Sequence, residues 1–463
     1  MRCSRLLSFC VVCLISLLLI GCGGGGTTPT SGSPNPNPPP VPSIAKGWTW
    51  VNGSNRANAQ GVYATQGVAS ASNVPGARGS SVNWIDRSGN LWLFGGYPGL
   101  NDLWEFNPTT KMWTWVSGSN TDHPMGVYFS PGAVPGGRYA AVGWMDSSGN
   151  LWLFGGYSYD GGWMNDLWEF NPTTRIWTWV SGSNIANTIG VYGTQGVPSA
   201  SNVPGARAWP VSWIDRSGNL WLFGGYGEGG VWFGYLNDLW EFNPTTRTWT
   251  WVSGSNTTDG VGNWGTQGVA AASNVPGGRS EAVSWIDSSD NLWLFGGFGI
   301  DSTGAGVFLD DLWEFDAKSR QWTWVSGSSS KASGIYGTLG VASASYVPGS
   351  RGDGVSWIDR SGNLWLFGGI GYGFGAGDFS NLNDLWKFNP TSKTWTWMGG
   401  SNTEDAIGVY GTQGVASASN VPGARSYAMS WIDNGGTFWL FGGGGEDSNG
   451  TAGPLNDLWS YRP

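Results

Sequence analysis

From Gly47 onward the chain is built of short apolar runs of four to six residues, each broken by Gly, Pro, Asn or Asp. No stretch in this region carries a helical period. One run returns six times: Leu91-Trp92-Leu93-Phe94-Gly95-Gly96, then at Leu151, Leu220, Leu292 and Leu364, and once as Phe438-Trp439-Leu440-Phe441-Gly442-Gly443. Asn-Asp-Leu-Trp or a near variant follows each copy, and then, in the first five, Trp-Thr-Trp. The starts lie 60, 69, 72, 72 and 74 residues apart, so one unit recurs with insertions of variable length. A period this long, made of short strands and turn residues, predicts repeated four-stranded β units.

The first unit shows how each is assembled. Arg78 to Asp86 reads as an inner strand, and Asp86-Arg87-Ser88-Gly89-Asn90 as a hairpin turn rich in the residues such turns favour. Leu91 to Phe94 is a second strand, ending at Gly95-Gly96, where missing side chains permit a sharp turn. Leu103 to Phe106 is a third strand, Asn107-Pro108-Thr109-Thr110 a turn, and Trp113 to Val116 an outer strand. Trp84, Trp92, Trp104, Trp113 and Trp115 recur at these places in every unit and account for 30 of the 34 tryptophans, so they are expected in the core between sheets.

The diglycine after the second strand, an aromatic in the third and Trp in the outer one make residues 47–463 resemble kelch motifs. That resemblance implies an all-β, six-bladed propeller, similar in its repeats to galactose oxidase. The last unit ends after its third strand at Leu458-Trp459-Ser460-Tyr461, while an orphan Trp48-Thr49-Trp50-Val51 stands at the other end. The orphan is expected to supply the outer strand of the sixth blade and so close the ring.

Ahead of the repeats, Met1, Arg2 and Arg5 precede an apolar stretch from Leu6 to Ile20, too short for a comfortable membrane span. Leu19-Ile20-Gly21-Cys22 resembles the lipobox of bacterial lipoproteins, which implies a signal peptide over 1–21 and lipidation of Cys22. Gly23 in place of Asp implies the outer membrane of the cell envelope. Residues 22–46 read as a lipidated Gly- and Pro-rich tether. Cys3, Cys10 and Cys13 leave with the signal, so no disulfide is expected. Losing Arg2 and Arg5 takes the formal charge from −9 to −11, which with no basic run argues against nucleic acid. A monomer is expected.

Function is sought on the face that carries the insertions. The loops joining units and those between second and third strands emerge together and are long, as in Ser117 to Gly137 and Gly371 to Leu382. Two features there are regular. Each joining loop ends in Pro-Gly-x-Arg, giving Arg78, Arg138, Arg207, Arg279, Arg351 and Arg425. Asp102, Asp166, Asp238, Asp311, Asp384 and Asp457 precede the third strands. Either the arginines ring the channel mouth, with Arg279 and Arg351 placed to hold an anionic ligand, or the two sets form six structural pairs. Identical recurrence in every unit favours the pairs.

The irregular positions carry more information. Two residues after each Arg stand Ser80, Ala140, Trp209, Glu281, Asp353 and Tyr427, the one variable site in a uniform neighbourhood. Successive units should set Trp209, Glu281, Asp353 and Tyr427 along one arc near the channel mouth, where carboxylates beside aromatic faces suit a sugar. The other tryptophans outside the repeat register, Trp163, Trp232 and Trp264, fall on the same face of units two to four, with Tyr159, Phe233 and Tyr235. They are expected to form an exposed aromatic platform or to fold the long loops down.

Several chemistries are excluded. His123 is the sole histidine, and the mature chain keeps no free thiol, so the copper-radical site of galactose oxidase and a histidine-ligated zinc have no residues to build on, while a serine triad would have to be built around His123, which no nucleophile motif accompanies. No cofactor is expected. Calcium stays compatible with Asp160, Asp301, Asp310, Asp378, Glu446 and Asp447, although no spacing among them is specific. Three readings follow: a surface lipoprotein binding a glycan or other extracellular ligand, a protein-interaction or envelope scaffold, and sugar chemistry. The third would resemble the periplasmic kelch sialate mutarotases, with Glu281 and Asp353 as acid and base and Arg279 or Arg351 holding a carboxylate. Binding without catalysis is favoured.

Overall fold

A computed structural model describes residues 47–129, 132–159, 161–230, 232–373 and 379–463. The expected signal, Cys22 and the tether lie outside these residues. Every regular element described is a β-strand, and every pairing is antiparallel. In the first unit the strands Val82–Ile85, Leu91–Gly96, Leu100–Asn107 and Met112–Ser117 hydrogen-bond in that order. The pattern repeats through the chain to Met429–Ile432, Phe438–Glu446 and Ala452–Arg462, and there the outer strand is the N-terminal Gly47–Asn52. Trp50 stands opposite Trp459 in that pairing, as Trp115 stands opposite Trp104 in the first unit.

Burial follows the residue pattern. Inner strands bury alternate residues, Val82 and Trp84 in the first, while second strands such as Leu91–Gly96 are buried along their whole length because sheets cover both faces. The core therefore lies between units. Trp84, Trp92 and Phe94 of the first pack on Leu151, Leu153, Trp168 and Phe170 of the second, and Met429, Trp431, Trp439 and Phe441 of the last pack on Leu91, Leu93, Trp104 and Phe106 of the first. Inner-strand indoles tie neighbours further: Trp84 Nε1 donates to the Trp152 carbonyl at 3.0 Å and Trp431 Nε1 to the Trp92 carbonyl at 3.2 Å.

Three features differ from the sequence expectation. The inner strand is broken in two: Arg138–Tyr139 pairs with the far end of the second strand, and Val142–Met145 forms after a left-handed residue at Ala140 (φ 58°). Nor does the diglycine end the second strand in a turn. Gly95 and Gly96 (φ 64° and 103°) make a bulge through which Leu91–Gly96 reaches Leu100, and in the second unit the hairpin runs on to Ser158 and Gly162. A Cβ on Gly95 would lie 2.7 Å from the Arg138 carbonyl oxygen, so no side chain fits. Finally, the joining loops act as straps. Gly67 N–H donates to the Trp115 carbonyl at 2.7 Å and Asn73 Nδ2 to the Trp113 carbonyl at 3.0 Å, which caps an otherwise open sheet edge. Asn202, Asn274 and Asn420 do the same for Trp249, Trp322 and Trp48. The shorter loop entering the second unit lacks this Asn, and its outer strand leaves Ile176 and Thr178 exposed.

A buried Asn beside each Asp fastens the straps: Asn101 Nδ2 donates to the Pro135 carbonyl at 3.2 Å, with equivalents at Asn165, Asn237, Asn383 and Asn456. In the fourth unit the residue is Asp310. Burial, then the charge of Asp311, pushes its carboxyl up to about 8. An unfolded Asp ionises near pH 4, so between there and pH 8 the folded state holds the extra proton and loses stability as pH rises. Asp310→Asn should therefore melt higher than the parent, with a gap small at pH 4 and widest from pH 8 upward, at about 1–3 kcal/mol. Thermal melts across pH 4–9 check this. A gap independent of pH would show that Asp310 is ionised in the fold.

Candidate ligand-binding site

The regular Arg and Asp residues meet in the interior. Arg279 donates through both Nη atoms to Asp311 at 2.6 and 2.9 Å, through Nε to the Gly277 carbonyl and through Nη1 to the Gly296 carbonyl. Arg351 does the same with Asp384, Gly349 and Gly368. All six pairs are at most 1% exposed. Every donor of Arg279 and Arg351 faces inward, so neither is a ligand-binding group at the mouth. Their role is to hold the joining loop against the third strand.

The same aspartates place Trp264. In five units a Tyr hydroxyl closes the cluster, as Tyr63 does on Asp102 at 2.6 Å and Tyr336 on Asp384 at 2.6 Å. Trp264 stands at the equivalent place in the fourth unit, buried, with Nε1 donating to Asp311 at 3.1 Å. It belongs to the core and not to an exposed platform.

The variable position two residues after each Arg forms a ring. Ser80, Ala140, Trp209, Glu281, Asp353 and Tyr427 all sit in the left-handed region, φ 52–61°. Each donates its N–H to the carbonyl of the same residue in the preceding unit: Ala140 to Ser80 at 2.8 Å, Asp353 to Glu281 at 2.8 Å, and Ser80 back to Tyr427 at 2.9 Å. Left-handed backbone costs a non-glycine residue roughly 1–2 kcal/mol, and the cyclic hydrogen bonds offset it. The geometry brings six side chains of any type to one place. They line a cavity of about 130 Å³ with Pro210, Ala282, Gly354 and Ala428.

Within it, Glu281 and Asp353 lie in hydrogen-bonding range of each other. Burial raises Glu281 above the carboxylate range. Burial and then the charge of Glu281 raise Asp353 well above it. Asp353 Oδ2 is buried and makes no hydrogen bond, while the Tyr427 hydroxyl lies within hydrogen-bonding range of the Asp353 carboxyl. The negative charge of Asp353, followed by burial, keeps the Tyr427 hydroxyl protonated. Two carboxyls so placed cannot both ionise cheaply, so the pair gives up its second proton only well above the usual carboxylate range.

Above the ring, Tyr97, Tyr139, Trp209 and Tyr427 enclose an apolar cup of about 240 Å³, completed by Gly79, Ser80, Gly444 and Pro454. Ring contacts then run outward from the cup. Tyr139 meets Tyr157 at 5.2 Å, Tyr157 meets Trp163 at 5.2 Å, and Trp163 meets Phe233 at 4.2 Å. Phe233 leads through Tyr226 and Tyr235 to Phe298, then Phe308 and the half-exposed Phe379. Trp163 sits on the strand Gly162–Asn171 and not in a loop, half-buried in this arc. Trp232 is 73% exposed at its edge. Part of the arc is legible in the sequence, where an aromatic follows the diglycine at Tyr97, Tyr157, Tyr226 and Phe298.

The loop acids hold turns. Asp301 accepts from the N–H groups of Thr303 and Ala305, and Asp447 from those of Asn449 and Thr451. Asp160 and Asp378 lie outside the described residues. Among the described residues no three His, Cys, Asp or Glu converge to hold a metal. His123 packs on Tyr159 with ring centroids 3.9 Å apart.

The model for the KLHDC2/KLHL20/DRC7 Kelch-repeats domain matches residues 127–345 and 194–399. The chain belongs to the kelch-repeat family. Kelch domain-containing protein 3 of Bos taurus is 24% identical over 249 residues, 53% of this chain and 50% of its own length. Multiple epidermal growth factor-like domains protein 8 of Homo sapiens is 25% identical over 242 residues, 51% of this chain and 7% of that protein. The chain thus spans at most about half the length of these relatives. Among solved structures, that of YjhT superposes with a TM-score of 0.51 at 18% identity, covering 83% of this chain and 95% of that one, a likeness of fold. The strained ring, its carboxyl pair and the aromatic arc all occupy the long-loop face of these kelch repeats.

The carboxyl pair has a measurable signature. Carboxyl-carbon NMR of the parent should show Glu281 and Asp353 titrating in two steps, the upper well above the carboxylate range. Glu281→Gln should leave one step for Asp353 at lower pH, since the charge that raised it is gone. Two ordinary carboxylate titrations in the parent would contradict a shared proton.

Proposed function

We propose that the chain is a binding scaffold of the cell envelope: a six-bladed kelch propeller whose long-loop face recognises a glycan or other extracellular ligand. Six four-stranded units, a cyclic set of ring hydrogen bonds and the pairing of Gly47–Asn52 with Ala452–Arg462 support six blades closed by the N-terminal strand. Cys22 and the Gly- and Pro-rich segment after it support a lipid anchor and tether, with the outer membrane as the site.

The observation that carries the ligand reading is the aromatic arc. Phenol, indole and phenyl rings run from Tyr97 to Phe379 on one face, with hydroxyls interspersed. The C–H faces of a pyranose pack on such rings and release water, while its hydroxyls find phenolic partners at the edges. A soluble protein gains no folding advantage from leaving Tyr97, Tyr159, Trp232 and Phe379 open to solvent together. Nothing in the arc requires turnover, and the reading is of binding.

A glycan-panel screen of the protein beside a Trp163→Ala, Phe233→Ala double variant tests it. At least one glycan should bind the parent and lose tenfold or more affinity in the variant, with the melting temperature showing both folded. A flat panel with folded protein would sink the glycan reading and move the search to protein partners.

A further inference from the structure

The cup at the centre of the face has walls of a different kind from the arc around it. Tyr97, Tyr139 and Trp209 stand edge to face about it, with ring centroids 5.9 Å (Tyr97–Tyr139) and 5.8 Å (Tyr139–Trp209) apart. Beyond the hydroxyls of Tyr97, Tyr139, Tyr427 and Ser80 and the Trp209 indole N–H, no polar side chain lines the cup, and no Lys or Arg does. Ser80, Trp209 and Tyr427 are shared with the cavity that Glu281 and Asp353 line. The arginines nearest in sequence are buried in their own pairs. No ion pair of the described residues involves Glu281 or Asp353.

Aromatic faces enclosing a small space, with uncompensated negative charge behind them, suit one class of guest. A sugar ring needs polar partners around most of its rim, and the cup is walled mainly by ring faces. An anion is repelled by the carboxyls. A positive charge too diffuse to demand water is attracted by the ring faces and by the carboxyls together. A volume of 240 Å³ falls below that of a drug-sized pocket, so the guest is a compact group and not an extended molecule.

We propose that the cup binds a quaternary or alkylated ammonium group, held over Tyr97, Tyr139 and Trp209 and neutralised by the Glu281–Asp353 pair across the ring. The ligand class is an organic monocation, free or carried as a substituent on a larger molecule that the arc also contacts. The charge of the pair, met by no cation, gives the site its sign, and the rings give it selectivity over hydrated metal ions. The outer arc plays no part in this claim, so it stands or falls apart from the glycan reading.

Isothermal titration of the full chain at low salt with choline, tetramethylammonium and the neutral isostere 3,3-dimethylbutan-1-ol tests it. Both cations should bind saturably, and the isostere at least tenfold more weakly. Tyr139→Leu should lower cation affinity tenfold or more. Glu281→Gln, Asp353→Asn, which removes both carboxyls, should weaken the cations while leaving the isostere unchanged, a split that loss of fold cannot produce. Trp163→Ala, Phe233→Ala should keep choline binding intact even where glycan binding is lost. Equal binding of cation and isostere, affinities indifferent to Glu281→Gln, Asp353→Asn, or no binding by either cation would each overturn the proposal.

Discussion

Six guanidinium–carboxylate pairs are sealed in the interior of this protein, and the geometry of each repeat depends on them. An isolated buried ion costs several kcal/mol, and a buried pair stabilises only when its remaining donors and acceptors are met. Here they are. Each Arg spends its fork on an Asp and further N–H groups on two glycine carbonyls. Each Asp accepts in addition from the indole two residues on, as Asp311 does from Trp313 at 2.7 Å, and from a Tyr hydroxyl or, once, from Trp264. Because one carbonyl belongs to the diglycine bulge and another to the joining loop, each pair fixes loop, bulge and third strand at one point. Removing either partner leaves a bare charge in a dry core, which is why no repeat departs from the motif.

Such a frame frees the ring two residues away. The backbone there is forced into the left-handed region and stitched to its neighbours by main-chain hydrogen bonds alone, so side-chain identity contributes little to the fold. Ser, Ala, Trp, Glu, Asp and Tyr occupy equivalent places for that reason. The sheet ladders fix where the ring is, and composition decides what it recognises. Buried carboxyls below and aromatic walls above are therefore properties of this chain and not of its fold.

The repeat, its strands and the tryptophan core were legible because all three rest on periodicity, which one sequence displays six times over. The Arg–Asp pairing was legible as one of two alternatives, and identical recurrence pointed to the right one. Three things were not. Left-handed backbone at Trp209 or Glu281 leaves no residue-type signal where glycine is absent. The diglycine looked like a turn because a bulge and a turn both demand positive φ. Trp264 looked like a loose aromatic, since only the neighbouring Asp311 reveals it as a substitute for the Tyr of other repeats.

A saturation mutagenesis scan read out by folded abundance tests the central claim, that a fixed charge-paired frame carries a ring free to vary. Substitutions at Arg78, Arg138, Arg207, Arg279, Arg351, Arg425 and their aspartates should abolish folded protein almost without exception. Substitutions at Ser80, Ala140, Trp209, Glu281, Asp353 and Tyr427 should largely retain it, with glycine tolerated at all six. Ring positions as intolerant as the arginines would contradict the account, because the ring would then be part of the frame and its variety would need another cause.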